Sequence, residues 1–322
     1  MDDAAKGVNL NKNRKIWLNY LIGAIVSAIL IGSIYLQVKT QVEKIDVTTW
    51  IQNGLNYYLP IALLMMPLNL SIEIYKWRLL AGAAQPISVK ESIKSFFAGL
   101  ALSFITPNRI GEYPGRIIYL KQKKTIRLIS VAALGVFSQF FALFLFGIIG
   151  LIYYNFQFPG SWQKFVLLGA LSLLIFISLM FFYFEKWAKY FDHLPRFRRY
   201  NTYGTLLKRF TRKKQFTVLG LSVLRFLVYT SQYLILLRWM NIHLSPQEGY
   251  FTAFLFFWAI AVIPSIALAE IGVRGQLSLF LFGNFSNDSM GILAATFGLW
   301  CMNIIIPAII GSFLLIRLRL IK

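Results

Sequence analysis

Charged side chains are scarce in this chain, at 14% of 322 residues, whereas soluble domains average about 25%. Apolar residues make up 57%, and they recur in long runs with little charge. A run of about 20 apolar residues is long enough to cross the membrane hydrocarbon as a helix. Strands of a membrane barrel would be about 10 residues long and would alternate in polarity, so the runs exclude them. The sequence therefore predicts an all-α, polytopic membrane protein.

Metal-binding and redox-active residues are almost lacking. The chain has one cysteine, Cys301, and two histidines, His193 and His243, which lie in different connecting segments. A single cysteine excludes an internal disulfide and a cysteine-based metal site. The sequence also lacks a nucleophile elbow, a phosphate-binding loop, a paired-histidine motif and a dinucleotide fingerprint. We therefore predict no cofactor, no bound metal, no catalytic residue and no enzymatic activity.

Acidic residues are few as well, 12 against 33 lysines and arginines, which gives a formal net charge of +21. An excess of this size is found in nucleic-acid-binding proteins. Here, however, the basic residues are grouped in alternate connections between apolar runs, which is the positive-inside pattern of membrane proteins. The sequence thus predicts a plasma-membrane protein with both termini in the cytoplasm, and it predicts no nucleic-acid partner.

The apolar runs predict one transmembrane domain, residues 16–317, between cytoplasmic tails at 1–15 and 318–322. The first run follows a basic stretch and is longer than the apolar core of a signal peptide, so we expect it to be retained as a helix. Residues 185–215 carry ten basic residues, and they are predicted to form a cytoplasmic loop that touches anionic lipid. The six predicted spans are 16–36, 54–72, 128–153, 165–184, 216–237 and 290–316.

Two further apolar regions, 95–120 and 250–283, are interrupted by proline, glycine and charge. Basic clusters flank the first region, with Lys76, Arg78, Lys90 and Lys94 before it and Lys121, Lys123, Lys124 and Arg127 after it. The positive-inside rule places both clusters in the cytoplasm. Only 26 residues separate Lys94 from Lys121, whereas two crossings need about 40. We therefore predict a re-entrant hairpin that enters and leaves on the cytoplasmic side.

The second interrupted region, 250–283, lies between connections with little charge, and it is predicted to enter and return from the outer face. Its length also allows two short spanning helices, and that alternative stays open. Interrupted helices that enter from opposite faces resemble the architecture of transporters with inverted repeats, in which the substrate site lies near the middle of the membrane.

Prolines predict where the half-helices of the hairpins begin and end. The residue before Pro107 is biased away from helical geometry, so the first half-helix is expected to end near Thr106. Pro114 suits the first turn of the second half-helix. The predicted turn residues of the two hairpins are Pro107, Gly111, Pro114, Pro264 and Gly272.

Arginines beside these turns are the candidate substrate ligands. Arg109 and Arg116 flank the N-terminus of a half-helix, which carries a partial positive charge, and together they predict an anion site for a lipid phosphate. The alternative is a surface loop whose arginines anchor the protein at headgroup level. Glu270 and Arg274 form a second acid–arginine element, and we favour an interior site because charges at membrane depth are costly and usually paired.

The interior acids each have two interpretations. Glu112 and Glu270 hold the arginines in place as ion-pair partners, or they bind a cationic headgroup or a proton. Arg225 lies about 14 Å along its helix, where it snorkels toward the cytoplasm, pairs with one of these glutamates, or binds substrate. The predicted site has four arginines against two glutamates, and this net charge of +2 suits an anionic substrate. Its six residues are Arg109, Glu112, Arg116, Arg225, Glu270 and Arg274.

Two segments resemble the signatures of a known family. "ITPNRIGEYPGRIIYL", residues 105–120, resembles the "TPgRiGE…R…L" signature of the flippase-like membrane family, also called the lysylphosphatidylglycerol synthase transmembrane region. "AEIGVRGQLSLFLF", residues 269–282, resembles its later "GGIGvRE" signature, with Gln276 where the family often has glutamate. The resemblance covers nearly the whole chain, and the two motifs follow each other in the family's order.

The resemblance implies a flippase that moves an anionic or zwitterionic phospholipid, aminoacylated or not, or another lipid-linked molecule between leaflets. In larger relatives a soluble aminoacyl-transferase domain follows the membrane domain. This chain ends at Lys322, six residues after the last predicted span, so we expect that domain to be absent. Membrane lipids are the predicted partners, and a homo-oligomer stays open. Two alternatives remain, namely an intramembrane enzyme that modifies lipid headgroups and a non-transporting assembly subunit.

Overall fold

The computed structural model describes residues 32, 35–36, 56–104, 106, 111–120, 125–184, 186, 211–263 and 267–316. Within these ranges the chain is helical and forms no strand, as predicted. Several predictions fall outside them: most of the first span at 16–36, both tails, most of the basic loop at 185–215, and residues Pro107, Arg109 and Pro264.

Apolar sequence and the capping residues between apolar runs determine the helices. Their bounds are α1 (Tyr58–Ala84), α2 (Val89–Phe104), α3 (Glu112–Tyr119), α4 (Thr125–Gln157), α5 (Ser161–Phe182), α6 (Arg212–Trp239), α7 (Pro246–Val262), α8 (Ala267–Phe282), α9 (Ser289–Trp300) and α10 (Ile306–Ile316). A π-helical turn, Cys301–Ile305, joins α9 to α10 without a break. At the start of α7, Ser245 and Glu248 cap each other reciprocally, and these hydrogen bonds lower the pKa of Glu248.

Five helices of the described residues are long and apolar enough to cross a membrane, namely Tyr58–Ala84, Arg127–Gln157, Gln163–Phe182, Arg212–Trp239 and Ser289–Leu315. They correspond to five of the six predicted spans, and the sixth lies almost entirely outside the described residues. Their mean hydropathy runs from 1.4 to 2.7, which is the signature of repeated membrane crossings. The chain is therefore a multi-pass membrane protein.

The second span is longer than predicted. It was expected to end at residue 72, with Lys76 and Arg78 in a cytoplasmic connection, but α1 continues to Ala84 and contains both residues. The helix tolerates Lys76 because the ammonium lies 2.7 Å from the carboxylate of Glu73, one turn earlier. A sequence rule that counts basic residues as loop residues fails where a cation is buried with its own counter-ion.

The described helices pack as two corresponding halves. In the first half α1 is followed by the short pair α2–α3 and by α4, and in the second α6 is followed by the short pair α7–α8 and by α9–α10. Helix α1 packs along α6, while α4 packs on α7 just as α10 packs on α2. If each helix is replaced by its counterpart in the other half, the same three contacts result. This is the pattern expected of related repeats.

The bounds of the first short helix pair agree with the prediction made from the prolines. Helix α2 ends at Phe104, two residues before Thr106, and Pro114 lies in the first turn of α3, after the N-cap Gly111. In the second pair, Gly272 was predicted in a turn but lies inside α8, because the helix begins earlier, at Ala267.

Glycines allow the two halves to approach each other at backbone distance. A β-carbon at Gly311 on α10 would lie 2.0 Å from the carbonyl oxygen of Phe97 on α2. In the corresponding contact, a β-carbon at Gly150 on α4 would lie 2.4 Å from the carbonyl oxygen of Phe251 on α7. Small residues at such crossings are what allow close helix packing where no hydrophobic effect drives helices together.

We expect Gly311→Ala to lower the free energy of unfolding by at least about 1–3 kcal/mol, because the added methyl group overlaps backbone that cannot rotate away. Gly169→Ala on α5 is the matched control, since nothing in the described residues lies within 4 Å of a β-carbon there. In an exposed helix, alanine is more favourable than glycine by about 0.5–1 kcal/mol. The control is therefore expected to unfold at the same temperature as the unmodified protein or at a higher one. Equal unfolding temperatures for the two variants in detergent would contradict the tight contact.

Candidate functional site

Charged side chains from three helices meet inside the bundle, and we call this group the charge cluster. Glu73 and Lys76 come from α1, Glu112 and Arg116 from α3, and Arg225 from α6. It combines the first half of the fold, which supplies α1 and α3, with the second half, which supplies α6. Charged residues at membrane depth are rare and mark functional sites by default.

Glu73 is the centre of the charge cluster. Its carboxylate is 1% exposed and is contacted by three cations. One oxygen, Oε1, accepts a hydrogen bond from Nη2 of Arg116 at 3.0 Å. The other, Oε2, lies 2.7 Å from Nζ of Lys76 and 3.1 Å from Nη1 of Arg225. One carboxylate therefore compensates cations from α1, α3 and α6 at once.

Arg116 is held rigidly by acids and aromatic rings. Its side chain is 0% exposed, and its Nη2 is shared between the carboxylates of Glu73 and Glu112. Nε and Nη1 find no hydrogen-bond partner among the described residues. The guanidinium carbon instead lies 5.0 to 5.3 Å from the centres of three rings, those of Trp77, Phe96 and Tyr113. Such cation–π contacts replace hydration in a desolvated site.

Close packing of α2 against α3 shapes this pocket. A β-carbon at Gly99 would lie 2.5 Å from Cγ of Arg116 and 2.6 Å from the carbonyl oxygen of Glu112, so the position has room only for glycine. The ring of Trp77 is fixed in turn, because its indole nitrogen donates a hydrogen bond to the hydroxyl of Ser95 at 2.8 Å. The short helix pair thus sets the position of Arg116.

Arg225 lies at the most exposed edge of the charge cluster. Its side chain is 25% exposed, and it stands 13 residues after Arg212 in a helix of 28 residues, near the middle of the span. Nη1 carries its contacts, to Glu73 and, at 3.0 Å, to Oε1 of Gln139 on α4. Nε has no hydrogen-bond partner in the described part of the chain. Arg225 is therefore only partly engaged by the protein.

Neutral polar groups support the cations from α4 and α6. Nζ of Lys76 lies 3.4 Å from Oε1 of Gln139 and 3.4 Å from the hydroxyl of Ser222. The hydroxyls of Ser222 and Ser138 lie 2.9 Å apart. Lys76 is thus buried with one ion-pair partner and two dipoles, which hold its ammonium group beside Glu73.

A second polar group, the amide ladder, lies one turn from the charge cluster. The amide nitrogen of Asn69 donates to Oδ1 of Asn303 at 2.8 Å, that of Asn303 donates to Oε1 of Gln232 at 2.9 Å, and that of Gln232 donates to the carbonyl of Ala62 at 2.9 Å. The ladder ties α1 to α6 through the π-helical turn. Single π turns inside α-helices are frequent at functional sites.

The predicted site residues are only partly brought together. Glu112 and Arg116 are paired as one interpretation expected. Arg225 pairs with Glu73, which faces it across the α1–α6 contact and was not among the partners proposed from the sequence. The side chain of Glu270 lies outside the described part of the chain. Arg109 lies outside the described residues. The binding of substrate by all six residues stays a prediction.

Arg274 occupies a comparable place in the second half. It is buried on α8. Glu270 precedes it by four residues on the same helix, the spacing that also separates Glu112 from Arg116, so each pair of positions shares one helix face. This repeated Glu-x-x-x-Arg spacing, in Glu112–Arg116 and Glu270–Arg274, is a signal that the sequence itself carries.

Sequence reasoning missed Glu73, Lys76 and Gln139. Glu73 and Lys76 follow the predicted end of their span, and they were treated as part of a connection. A signal was present, since an acid and a base three residues apart can form an intrahelical ion pair that carries both into an apolar helix. Among the described residues, no group of three His, Cys, Asp or Glu side chains is placed to hold a metal ion.

Replacing Glu73 by glutamine is expected to destabilise the protein by about 3–5 kcal/mol, because three cations lose the carboxylate that compensates them. Glu112→Gln is the matched control, since Glu112 is 19% exposed and its described ion pair is with Arg116 only. The double variant Glu73→Gln, Lys76→Met removes one charge of each sign and is expected to recover part of the loss. Thermal unfolding in detergent compares the three variants, and a Glu73→Gln protein as stable as the Glu112→Gln protein would contradict the central role of Glu73.

Comparison with known proteins places this fold in a family. The family model described as "Lysylphosphatidylglycerol synthase TM region" matches residues 18–311, which include every described helix up to α10. Searches of curated proteins and of solved structures give no match to the chain. With a match over nearly its whole length, the chain belongs to the family of the lysylphosphatidylglycerol synthase transmembrane region.

Proposed function

We propose that this protein is a lipid transporter that moves a phospholipid with an anionic or zwitterionic headgroup between the leaflets of the plasma membrane, and that it is not an enzyme. The observation that carries the proposal is the charge cluster, whose most exposed member, Arg225, lies near the middle of a membrane-spanning helix. A headgroup must pass this depth to change leaflets, and a cation there offers its phosphate a partner.

A purely structural role is a weaker account of the charge cluster. Buried ion pairs add little net stability, and well-packed apolar residues of similar volume often stabilise a protein more. The charge cluster also extends across the contact between the two halves of the fold, which is where transporters with repeated halves bind their substrates. Its three cations outnumber its two carboxylates, which favours an anionic group on the substrate.

Each predicted residue has a role in this proposal. Arg225 binds the phosphate, because its side chain is 25% exposed and its described contacts are all made through Nη1. Glu112 orients Arg116, which shapes the positive potential from inside its aromatic pocket. Arg109 and Arg274 remain proposed headgroup ligands, and Glu270 is proposed to orient Arg274. The acyl chains stay in the bilayer between the helices.

We also propose that the two short helix pairs are re-entrant, from the cytoplasm for α2–α3 and from the outer face for α7–α8. At 1.5 Å per residue, helices of 16, 8, 17 and 16 residues are about 24, 12, 26 and 24 Å long, less than the roughly 30 Å of membrane hydrocarbon. The matching contacts of the two halves support this inverted arrangement, with both termini of the chain in the cytoplasm.

Cysteine labelling tests the orientation. In a Cys301→Ser background, single cysteines at Pro86 and Lys123 flank α2–α3, and cysteines at His243 and Asn287 flank α7–α8. A membrane-impermeant maleimide is expected to label the second pair of positions in intact cells and the first pair only after permeabilisation, because each helix pair returns to its own side. Labelling of Pro86→Cys and Lys123→Cys from opposite sides would overturn the arrangement.

Lipid exchange in proteoliposomes tests the function. With fluorescent phosphatidylglycerol and dithionite bleaching of the outer leaflet, Arg225→Ala is expected to slow exchange at least about tenfold, the effect of losing one charge-assisted hydrogen bond. Arg225→Lys keeps the charge but loses the planar donor set of the guanidinium. Its exchange rate is therefore expected to lie between those of the unmodified protein and Arg225→Ala. Arg212→Ala removes an exposed cation from the first turn of the same helix and is expected to leave the rate unchanged.

Three outcomes would contradict this proposal. Arg225→Ala and Arg212→Ala proteins that exchange lipid equally fast would remove Arg225 from the transport route. Unchanged rates in both Arg109→Ala and Arg274→Ala would likewise remove these two arginines from the headgroup site. Conversion of the labelled lipid into a new covalent product would favour an intramembrane enzyme instead.

A further inference from the structure

We propose that the charge cluster selects headgroups of net negative charge and rejects headgroups of net positive charge, and that Lys76 is the residue that sets this preference. The inference rests on the proposed transport function and narrows its substrate class. It excludes phospholipids that carry an esterified lysine, whose headgroup ends in an alkylammonium group.

The formal charge of the charge cluster favours an anionic headgroup. Lys76, Arg116 and Arg225 face Glu73 and Glu112, so the described cluster carries one formal positive charge in excess. An anionic headgroup that enters would neutralise this excess. A cationic headgroup would add to it in a setting where water screens charge poorly.

Both carboxylates of the charge cluster are already paired with cations of the protein. Glu73 is contacted by three cations of the chain and is 1% exposed, and Glu112 is paired with Arg116. A cationic headgroup therefore has to displace a protein cation from its carboxylate. An anionic headgroup has to displace none, because the side chain of Arg225 is 25% exposed and its described contacts are all made through Nη1.

Lys76 is the residue that blocks a cationic headgroup from Glu73. Its ammonium lies 2.7 Å from Oε2 of Glu73 and is the same chemical group as the end of a lysyl headgroup. It occupies the position that a substrate ammonium would take beside this carboxylate. Burial and the flanking groups of Gln139 and Ser222 hold it there, so it is not readily exchanged.

Removal of the ammonium is expected to open the site to cations. Lys76→Met keeps most of the length of the side chain, and it leaves the other two partners of Glu73, Arg116 at 3.0 Å and Arg225 at 3.1 Å in the unmodified protein, in place. The formal charge of the described cluster then falls to zero. Arg78→Met is the matched control, because Arg78 is an exposed cation two residues further along the same helix and outside the cluster.

Proteoliposomes of phosphatidylcholine with fluorescent phosphatidylglycerol or fluorescent lysylphosphatidylglycerol provide the test. We expect the unmodified protein and Arg78→Met to exchange phosphatidylglycerol at least about tenfold faster than the lysyl lipid, a ratio that corresponds to about 1.4 kcal/mol. In Lys76→Met the ratio of the two exchange rates is expected to fall below about threefold. Equal exchange of both lipids by the unmodified protein would overturn the inference while leaving the transport function in place.

A binding measurement separates the inference from the proposed function. Native mass spectrometry of the purified protein, equilibrated with equal amounts of the two lipids, is expected to show phosphatidylglycerol retained in preference, and Lys76→Met is expected to lose that preference. If neither lipid is exchanged in proteoliposomes, the transport function fails, and the retained lipid still decides the inference. Complete displacement of the bound lipid by soluble glycerol phosphate would overturn the lipid assignment.

Loss of folding in Lys76→Met would not leave the question open. Lys76→Gln also removes the charge, and it keeps a polar group beside Gln139 and Ser222. A preference for phosphatidylglycerol that survives in Lys76→Gln would overturn the role of Lys76. A preference for the lysyl lipid in the unmodified protein would overturn the entire inference.

Discussion

The carboxylate of Glu73 is the interaction on which the rest of the structure depends. Inside a membrane an isolated charge is strongly unfavourable, and here three cations from three helices are compensated at one position. The close approach of α2 and α3 at Gly99, the ring pocket around Arg116 and the dipoles of Gln139 and Ser222 all keep those cations at that carboxylate. Arg116 ties α3, a helix of only eight residues, to Glu73 on α1.

The arrangement of helices explains why so polar a group can exist in so apolar a chain. Helices α1 and α6 face each other along their length, so the charge cluster and the amide ladder both lie between them and away from lipid. Glycines on α4 and α10 let these two helices pack closely against α7 and α2, one helix of each short pair. Lipid-facing surfaces remain apolar, as the exposed leucines and phenylalanines of α5 illustrate.

The class of the protein and most of its spans could be predicted from sequence, because a helix that crosses hydrocarbon must be apolar over its entire length. Pro107 and Pro114 likewise indicated where α2 ends and α3 begins. The centre of the candidate site could not be predicted in the same way. Glu73 meets Arg116 across 43 residues of sequence, and no local pattern records that distance in space. The positive-inside rule even assigned Lys76 to a cytoplasmic connection, because counting charges does not recognise a cation that is buried beside its own counter-ion.

The ion pair and the amide ladder that tie α1 to α6 differ in how they respond to a charged ligand. The tie through Glu73 and Arg225 is ionic, and any phosphate that binds Arg225 weakens it. The tie through Asn69, Asn303 and Gln232 is neutral, and it does not respond to a charged ligand. Loss of the ionic tie therefore leaves the helices joined one turn away, at the π-helical turn. Helices α1 and α6 would then stay in contact through the amide ladder and through Lys76 and Ser222, so a bound anion would change their contact at one level only.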